Sequence, residues 1–368
     1  MQRDAVVVGG GVMGCAIALR LAQRGLAVLV LERSVPGAEA SSAAAGILAP
    51  QEEAEGPGPM LELGLAGRER FPGFVRELEA ATGMEVGYRR SGVLALALDE
   101  EELAGLEARA AWQAARGLRV ERLGPSEIAR LEPEVARAAG GLRFPDEAQV
   151  EPPKLMRALS LAAARAGAEF ATAYVRRVLH DGERVRGVEC DGETIESARV
   201  IVAAGSWSGL VDGALLPPQA VRPMRGQLVE LSTRPPRFAH VLFVKGRAGG
   251  YLVPRADGRV LVGSTMELVG FRKEVTADGL ASLLSLARRA VPSLGEAPVG
   301  GFRANFRPYT GDRLPFLGAT PVAGLLLATG HFRNGILLVA VSADAVAAVA
   351  CGEPPPVDLA PFSVARLR

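Results

Sequence analysis

The first 32 residues contain the pattern that most restricts how this chain can fold. Residues 4–8 predict a short buried strand, and a glycine-rich turn leads from it into a helix with apolar spacing. Gly25 ends that helix, residues 27–31 predict a second buried strand, and Glu32 follows directly. Strand, helix and strand within about 30 residues form a βαβ unit, so we expect a parallel sheet of the Rossmann type.

The glycines of this unit have the spacing of a dinucleotide-binding turn. Gly9 permits a tight turn, Gly11 lets the backbone approach a pyrophosphate, and Gly14 lets helix and strand pack closely. The N–H groups at the helix start favour phosphate. Glu32 can accept hydrogen bonds from the ribose, which argues against a 2′-phosphate, although Arg33 beside it leaves that alternative open. The unit predicts binding of an ADP-containing dinucleotide; the alternative is a βαβ unit that binds nothing.

Length and composition exclude several classes of protein. A chain of 368 residues can form about two domains, and a net charge of +1 argues against nucleic acid or an anionic membrane as partner. Cys15, Cys190 and Cys351 are far apart, contain no CxxC pair and lack metal-ligand spacing. We therefore expect a reduced, cytoplasmic protein without a bound metal.

We expect neither a signal peptide nor a membrane span. The predicted first strand begins almost at residue 1, which leaves no room for a cleavable leader. The longest apolar stretch, 336–349, contains Ser342 and Asp344 and is too short to cross a bilayer. It predicts a buried helix.

Other segments predict the remaining helices. Residues 61–81 have helical spacing with one break at Pro72, and 92–98 predict a strand. Asp99 caps a predicted helix that runs to residue 117, and a further helix is expected over 152–167.

Two groups of strands follow. Two Asp-Gly turns predict a meander over 174–195, which leads into a buried strand at 199–203 that we expect to meet the cofactor. A change to β-branched and aromatic residues predicts a separate antiparallel sheet with strands at 227–231, 241–244, 250–253 and 259–262.

The expected fold class is α/β plus α+β: a Rossmann-type dinucleotide-binding domain with an interleaved antiparallel-sheet substrate domain. We assign 1–90, 142–220 and 302–368 to the discontinuous dinucleotide-binding domain, and 91–141 and 221–301 to the substrate domain.

Several motifs together resemble the D-amino-acid oxidase superfamily of FAD-dependent oxidoreductases, and within it the glycine oxidase family of thiamine biosynthesis. The motifs are residues 9–32, the small-residue run 41–46, Ala203-Ala204-Gly205, Tyr251 to Arg255, Val262 to Met266, Arg307-Pro308 and Gly330 to Leu337. The resemblance covers nearly the whole chain.

The resemblance implies non-covalent FAD and a small amino acid substrate. Glycine, or another small primary or secondary amino acid, would be oxidised to an imine by hydride transfer to flavin N5. The imine would hydrolyse to an oxo acid, and O2 would reoxidise the flavin to give H2O2. Sarcosine oxidases carry a flavin-linked cysteine in the C-terminal third, but this chain has no cysteine between residues 300 and 317. The family also implies a homodimer or homotetramer.

The substrate carboxylate needs a planar partner with two donors, which arginine provides and lysine does not. Arg307 is the first choice by the family motif, and Tyr251 can donate its hydroxyl to the same carboxylate or be a core tyrosine. Arg333 binds substrate or supports its loop, and His331 is equally well catalytic or structural. For the substrate pocket we predict Met266, Ile47 and His331.

The resemblance also implies a set of FAD contacts. The small-residue run would surround the flavin and pyrophosphate, and backbone N–H groups 334–337 at the start of the last helix would stabilise the reduced flavin. The predicted cofactor-binding residues are Gly9, Gly11, Val12, Met13, Gly14, Glu32, Arg33, Ser41, Ser42, Ala44, Gly46, Ile47, Val175, Ala204, Gly205, Trp207, Arg307, His331, Arg333, Asn334, Gly335, Ile336 and Leu337.

Two other functions stay open from the sequence. One is a flavin dehydrogenase of a D-amino acid, imino acid or hydroxy acid that passes electrons to a carrier other than O2. The other is a non-catalytic dinucleotide-binding module, which the presence of Arg307 and Tyr251 disfavours. The chain has one glycine-rich dinucleotide-binding fingerprint and no second one for a nicotinamide cofactor, which disfavours an NAD-dependent enzyme.

Overall fold

The computed structural model describes residues 3–246 and 249–367. Its α-helices are α1 (Val12–Ala22), α2 (Ala40–Ala43), α3 (Pro50–Glu53), α4 (Pro59–Thr82), α5 (Glu100–Ala115), α6 (Pro125–Leu131), α7 (Pro152–Arg165), α8 (Ala277–Ala290) and α9 (Val339–Ala350). Its strands are β1 (Ala5–Val8), β2 (Val28–Glu32), β3 (Ile47–Leu48), β4 (Val93–Ala97), β5 (Glu121–Leu123), β6 (Gly140–Phe144), β7 (Ala148–Gln149), β8 (Glu169–Thr172), β9 (Val175–His180), β10 (Val185–Cys190), β11 (Glu193–Glu196), β12 (Val200–Val202), β13 (Arg222–Ser232), β14 (Val241–Val244), β15 (Gly250–Pro254), β16 (Arg259–Gly263), β17 (Val299–Tyr309), β18 (Phe316–Ala319) and β19 (Leu325–Thr329).

A six-stranded sheet with the order β18-β19-β12-β1-β2-β8 contains the glycine-rich unit. Its neighbours run parallel, except that β18 is antiparallel to β19. Both faces are covered. Ala5 and Val7 of β1 pack in the core with α1, α7 and α9, whereas Val6 and Val8 pack in the core with the β9–β11 meander. Burial on both faces explains why the strands read as continuous apolar runs.

An eight-stranded, mostly antiparallel sheet has the order β17-β13-β16-β15-β14-β4-β6-β5, with one parallel pair between β14 and β4. Leu283 and Leu286 of α8 belong to the core on one face, and Leu106 and Ala110 of α5 belong to the core on the other. The predicted Rossmann-type domain with an interleaved antiparallel sheet is therefore confirmed.

Two local predictions were wrong. Helix α4 continues through Pro72, because Phe71, Phe74 and Val75 around it are buried in the same core and their packing outweighs the lost hydrogen bond. The last helix begins at Val339 rather than 336; residues 334–338 before it form turns, and the Val339 N–H bonds the Ile336 carbonyl.

Two of the expected domain boundaries fall inside strands of the eight-stranded sheet. Residue 142 lies within β6, and residue 302 lies within β17. Strand β17 pairs with β13 from Val299 to Tyr309, so the sheet continues past the expected boundary. The domain boundaries are set by the pairing of strands that are distant in the chain, and sequence composition does not reveal which strands pair.

Within the described residues, no helix is long and apolar enough to cross a membrane, and no three His, Cys, Asp or Glu side chains are grouped as a metal site would require. The three cysteines are free thiols; Cys15 and Cys190 are buried, and Cys351 is half-buried.

Candidate active site

A deep cavity lies where the six-stranded sheet meets the eight-stranded sheet. Residues at or after the ends of β1, β2, β12 and β19 form one part of its wall, and residues of β13, β15 and β17 form another. The carboxyl ends of parallel strands are where open α/β sheets bind their ligands. The fold therefore brings the glycine turn and the antiparallel sheet to a single site.

Most of the predicted site residues lie on this wall. They are Gly9, Gly11, Val12, Met13, Glu32, Arg33, Ser41, Ala44, Gly46, Ile47, Val175, Ala204, Gly205, Trp207, Tyr251, Arg307, His331, Arg333, Asn334, Gly335 and Ile336.

Four predicted residues do not line the cavity: Gly14, Ser42, Leu337 and Met266. The Met266 side chain, expected to form the pocket floor, is 57% exposed and lies outside this wall. Its neighbours explain this position. Thr265 accepts the Gln227 N–H and Glu267 pairs with Arg225, so this segment lies along β13 and Met266 between them points outward.

The glycine turn has the geometry that a dinucleotide needs. Gly9 has φ +105°, and a Cβ there would lie 2.7 Å from the Ala203 carbonyl oxygen. A Cβ on Gly14 would lie 1.8 Å from the Gly9 oxygen, so helix α1 packs directly on the turn. The Val12 N–H at the start of α1 donates to Ser41 Oγ at 2.9 Å, which brings the small-residue run to the phosphate end of the cavity.

Glu32 both braces the turn and faces the cavity. Its Oε2 accepts the Gly10 N–H at 2.8 Å and its Oε1 accepts the Ser34 N–H at 3.0 Å. Beside it, the Arg33 guanidinium lies 3.8 Å from the centre of the Trp207 ring. The carboxylate, which is suited to ribose hydroxyls, thus lies next to a flat aromatic and guanidinium surface.

Arg307 is held on the opposite wall by the segment that follows β16. Its Nη1 donates to the Thr265 carbonyl at 3.1 Å and its Nη2 donates to Ser264 Oγ. Tyr251, on β15, also lines this wall, and its ring centre is 5.9 Å from that of Phe243. A guanidinium carries five N–H donors, so the two bonds to residues 264 and 265 leave further donors for a carboxylate.

Arg333 forms an ion pair with Glu53, and both residues line the cavity. Burial raises the pKa of the Glu53 carboxyl; Arg333 opposes this shift, and Glu52 beside it adds to it. The sequence reasoning missed Glu53, because it lies in a short helix nearly 300 residues from its partner.

His331 is 3% exposed, and its Nε2 lies 3.2 Å from Ser342 Oγ in α9. Burial lowers its pKa to about 3, so its ring is neutral near pH 7. The His331–Ser342 contact joins the loop between β19 and α9 to α9 itself.

Two further wall residues, Arg303 and Asn305, were missed, although the sequence contains a signal for them. They alternate with Arg307 along β17, and side chains two apart share one face of a strand. Burial lowers the pKa of Arg303, whose Nε donates to the Ala43 carbonyl at 3.2 Å.

The fold and this site define a dinucleotide-binding oxidoreductase, and comparison with known proteins identifies the family. A family model described as "DAO: FAD dependent oxidoreductase" matches residues 4–349. The chain belongs to this family, and its cofactor is FAD.

The chain is similar to a glycine oxidase from Geobacillus kaustophilus, with 34% identity over 369 residues, 99% of this chain and 97% of that protein. The crystal structure of glycine oxidase from that organism superposes with a TM-score of 0.94 and covers 99% of this chain and 98% of that one. A bifunctional ThiO/ThiG protein from Synechocystis is 38% identical over 347 residues, which are 92% of this chain but 50% of that protein.

The residues present fit FAD. The glycine turn leaves open space at the start of α1. A Cβ on Gly11 would fill part of that space and would lie 3.2 Å from Ser41 Oγ. Glu32 can accept from the ribose, and the small-residue run and the loop before α9 line the cavity on either side of the turn.

Proposed function

We propose that this protein oxidises glycine, or another small primary or secondary amino acid, with O2. In the balanced reaction for glycine, one glycine, one O2 and one water give one glyoxylate, one ammonia and one H2O2. The meeting of Arg307 and Tyr251 with the dinucleotide turn on one cavity is the observation that carries the proposal. The names of the similar glycine oxidases support the choice of substrate.

The side chains of the antiparallel sheet have the chemistry to orient such a substrate. Arg307 would bind the carboxylate through a charged pair of hydrogen bonds, and Tyr251 would add one neutral donor. Oxidation at Cα requires the neutral amine. Glu53, whose pKa burial raises, lies beside Arg333 on the cavity wall and would take up the ammonium proton. Most of the catalysis is then positioning.

FAD, when bound, supplies the two-electron acceptor. The protein would hold it through the glycine turn, Ser41 and Glu32, and the backbone N–H groups of the loop before α9 would favour negative charge on it. Its reoxidation by O2 distinguishes this proposal from a dehydrogenase that uses another carrier.

The deciding experiment is the visible spectrum of the purified protein before and after anaerobic addition of glycine. Bleaching of the flavin bands by glycine, and their recovery in air with one H2O2 per turnover, is the expected result. A flavin spectrum that no small amino acid bleaches would refute the proposal. Bleaching by glycine without recovery in air would instead identify a dehydrogenase.

We also propose a cytoplasmic location and a homodimer or homotetramer. Free thiols at all three cysteines are typical of a reducing compartment. Strand β17 is at the edge of its sheet and exposes Val299 and Phe302, the latter 62% exposed, which favours association. Light scattering of the purified protein tests the assembly; a monomer at micromolar concentration would refute it.

A further inference from the structure

One motif that the sequence analysis singled out, Val262 to Met266, has been described so far only as the segment that holds Arg307. The structure places its central residues between the two side chains proposed to bind the substrate carboxylate. Gly263 pairs with Tyr251 across β15 and β16, and Ser264 and Thr265 accept the hydrogen bonds of Arg307. One short segment therefore contacts both groups.

A second glycine lies directly beneath Arg307. A Cβ on Gly226 of β13 would lie 2.2 Å from Arg307 Nη1, 2.4 Å from Nη2 and 2.5 Å from Cζ. Because Cζ is the farthest of the three atoms, the Nη1–Nη2 edge of the guanidinium lies against this glycine. Any side chain at residue 226 would occupy the space of that group.

Tyr251 is placed in the same way. A Cβ on Gly263 would lie 2.5 Å from Tyr251 Cζ and 2.6 Å from Cε2, at the hydroxyl end of the ring. The phenol thus extends over the β16 backbone, and the guanidinium extends over the β13 backbone. These two strands are neighbours in the sheet, so both groups reach the same part of the wall.

The backbone itself does not require glycine at residue 226, because Gly226 does not lie in the left-handed region. What alanine would displace at residue 226 is the flexible end of Arg307. The substitution should therefore move the guanidinium and leave the fold intact.

We propose that Gly226 and Gly263 are positioning residues for the substrate carboxylate. They leave the space that the Arg307 guanidinium and the Tyr251 ring occupy against the sheet, while Thr265 and Ser264 accept two hydrogen bonds of the guanidinium. This inference rests on the proposed function, because it assumes that Arg307 binds a carboxylate.

The test compares Gly226→Ala with a matched glycine. Gly301 is on β17 of the same sheet, and a Cβ there would meet nothing within 4 Å, so Gly301→Ala is the control. The readouts are the Kd of acetate, from the change it causes in the flavin spectrum, the Kd and rate of anaerobic reduction by glycine, the flavin content and the Tm. We expect Gly226→Ala to weaken acetate and glycine about 10- to 100-fold, the worth of one charged hydrogen bond. Flavin content and Tm should stay at wild-type values, and Gly301→Ala should match wild type throughout.

Arg307→Ala separates the positioning role of Gly226 from the proposed carboxylate site at Arg307. If Arg307→Ala weakens acetate but Gly226→Ala binds it like wild type, the positioning role is refuted and the proposed function stands. If Arg307→Ala also binds acetate like wild type, the carboxylate site itself is refuted. Should Gly226→Ala lose its flavin, Ser264→Ala, which removes a single oxygen, decides instead. Its acetate Kd should rise about threefold or more, and an unchanged Kd would overturn the inference.

Discussion

Replacing His331 by glutamine should reduce the loss of stability that this protein undergoes between pH 7 and pH 5. The imidazole is 3% exposed, its partner is Ser342 Oγ, and burial lowers its pKa to about 3. In the unfolded chain a histidine has a pKa of about 6.5. Between these two values the unfolded chain binds a proton that the folded protein excludes, so stability is lost as the pH falls below 6.5.

The magnitude follows from the two pKa values. Each pH unit between them changes the free energy of unfolding by about 1.4 kcal/mol, so going from pH 7 to pH 5 removes about 2 kcal/mol. Glutamine does not titrate and can place an amide near Ser342. The unfolding free energy of His331→Gln should therefore fall by about 2 kcal/mol less over this range than that of wild type.

The assay is urea unfolding at pH 7 and pH 5 in a fixed excess of FAD. His180→Gln, in the β9–β10 hairpin, is the control for replacing a histidine by glutamine. Equal losses of stability in wild type and His331→Gln between the two pH values would refute the reasoning. They would mean that His331 is protonated in the folded protein.

Three further predictions concern the cofactor and substrate. Glu32→Ala removes the acceptor of two backbone N–H groups and of the ribose, so the FAD Kd should rise about 10- to 100-fold in a fluorescence titration; unchanged affinity would mean that the ribose is held elsewhere. Arg307→Lys should lower kcat/KM for glycine about 10- to 100-fold with FAD affinity unchanged, because lysine lacks the planar pair of donors. Exposed Arg222→Lys is its control, and equal kinetics of the two variants would remove Arg307 from the site. Gly14→Ala places a Cβ 1.8 Å from a backbone oxygen of the turn and should lower the unfolding free energy by about 1–3 kcal/mol or more. Gly105→Ala, at a position with open space in α5, is the control and should not lower it. Equal Tm values of the two variants would contradict the close packing at Gly14.

Much of the fold could be predicted because its signals are local. The apolar runs of β1 and β2, the glycine spacing between them and the Asp-Gly turns of the meander each act within a few residues. The alternation of Arg303, Asn305 and Arg307 on β17 is also a local signal, and a period-two reading would have found the first two residues.

The positions of single side chains in the site depended on contacts far apart in the chain. Arg255, for example, donates from a buried guanidinium to the Ala45 and Val150 carbonyls and so ties the small-residue run to the antiparallel sheet. Met266 points outward because its neighbours pair with β13. The spacing of residues in the sequence does not predict these contacts between distant segments.

The sequence by itself determined the βαβ unit, the dinucleotide chemistry of its glycines and Glu32, and the presence of a second, antiparallel sheet. Tertiary structure alone decided that the guanidinium of Arg307 rests on Gly226, that Glu53 meets Arg333, and that His331 is neutral. The physical reason is the distance along the chain over which each interaction acts. Hydrophobic periodicity and turn chemistry act between near neighbours, whereas burial, ion pairing and strand register are set when distant segments pack together.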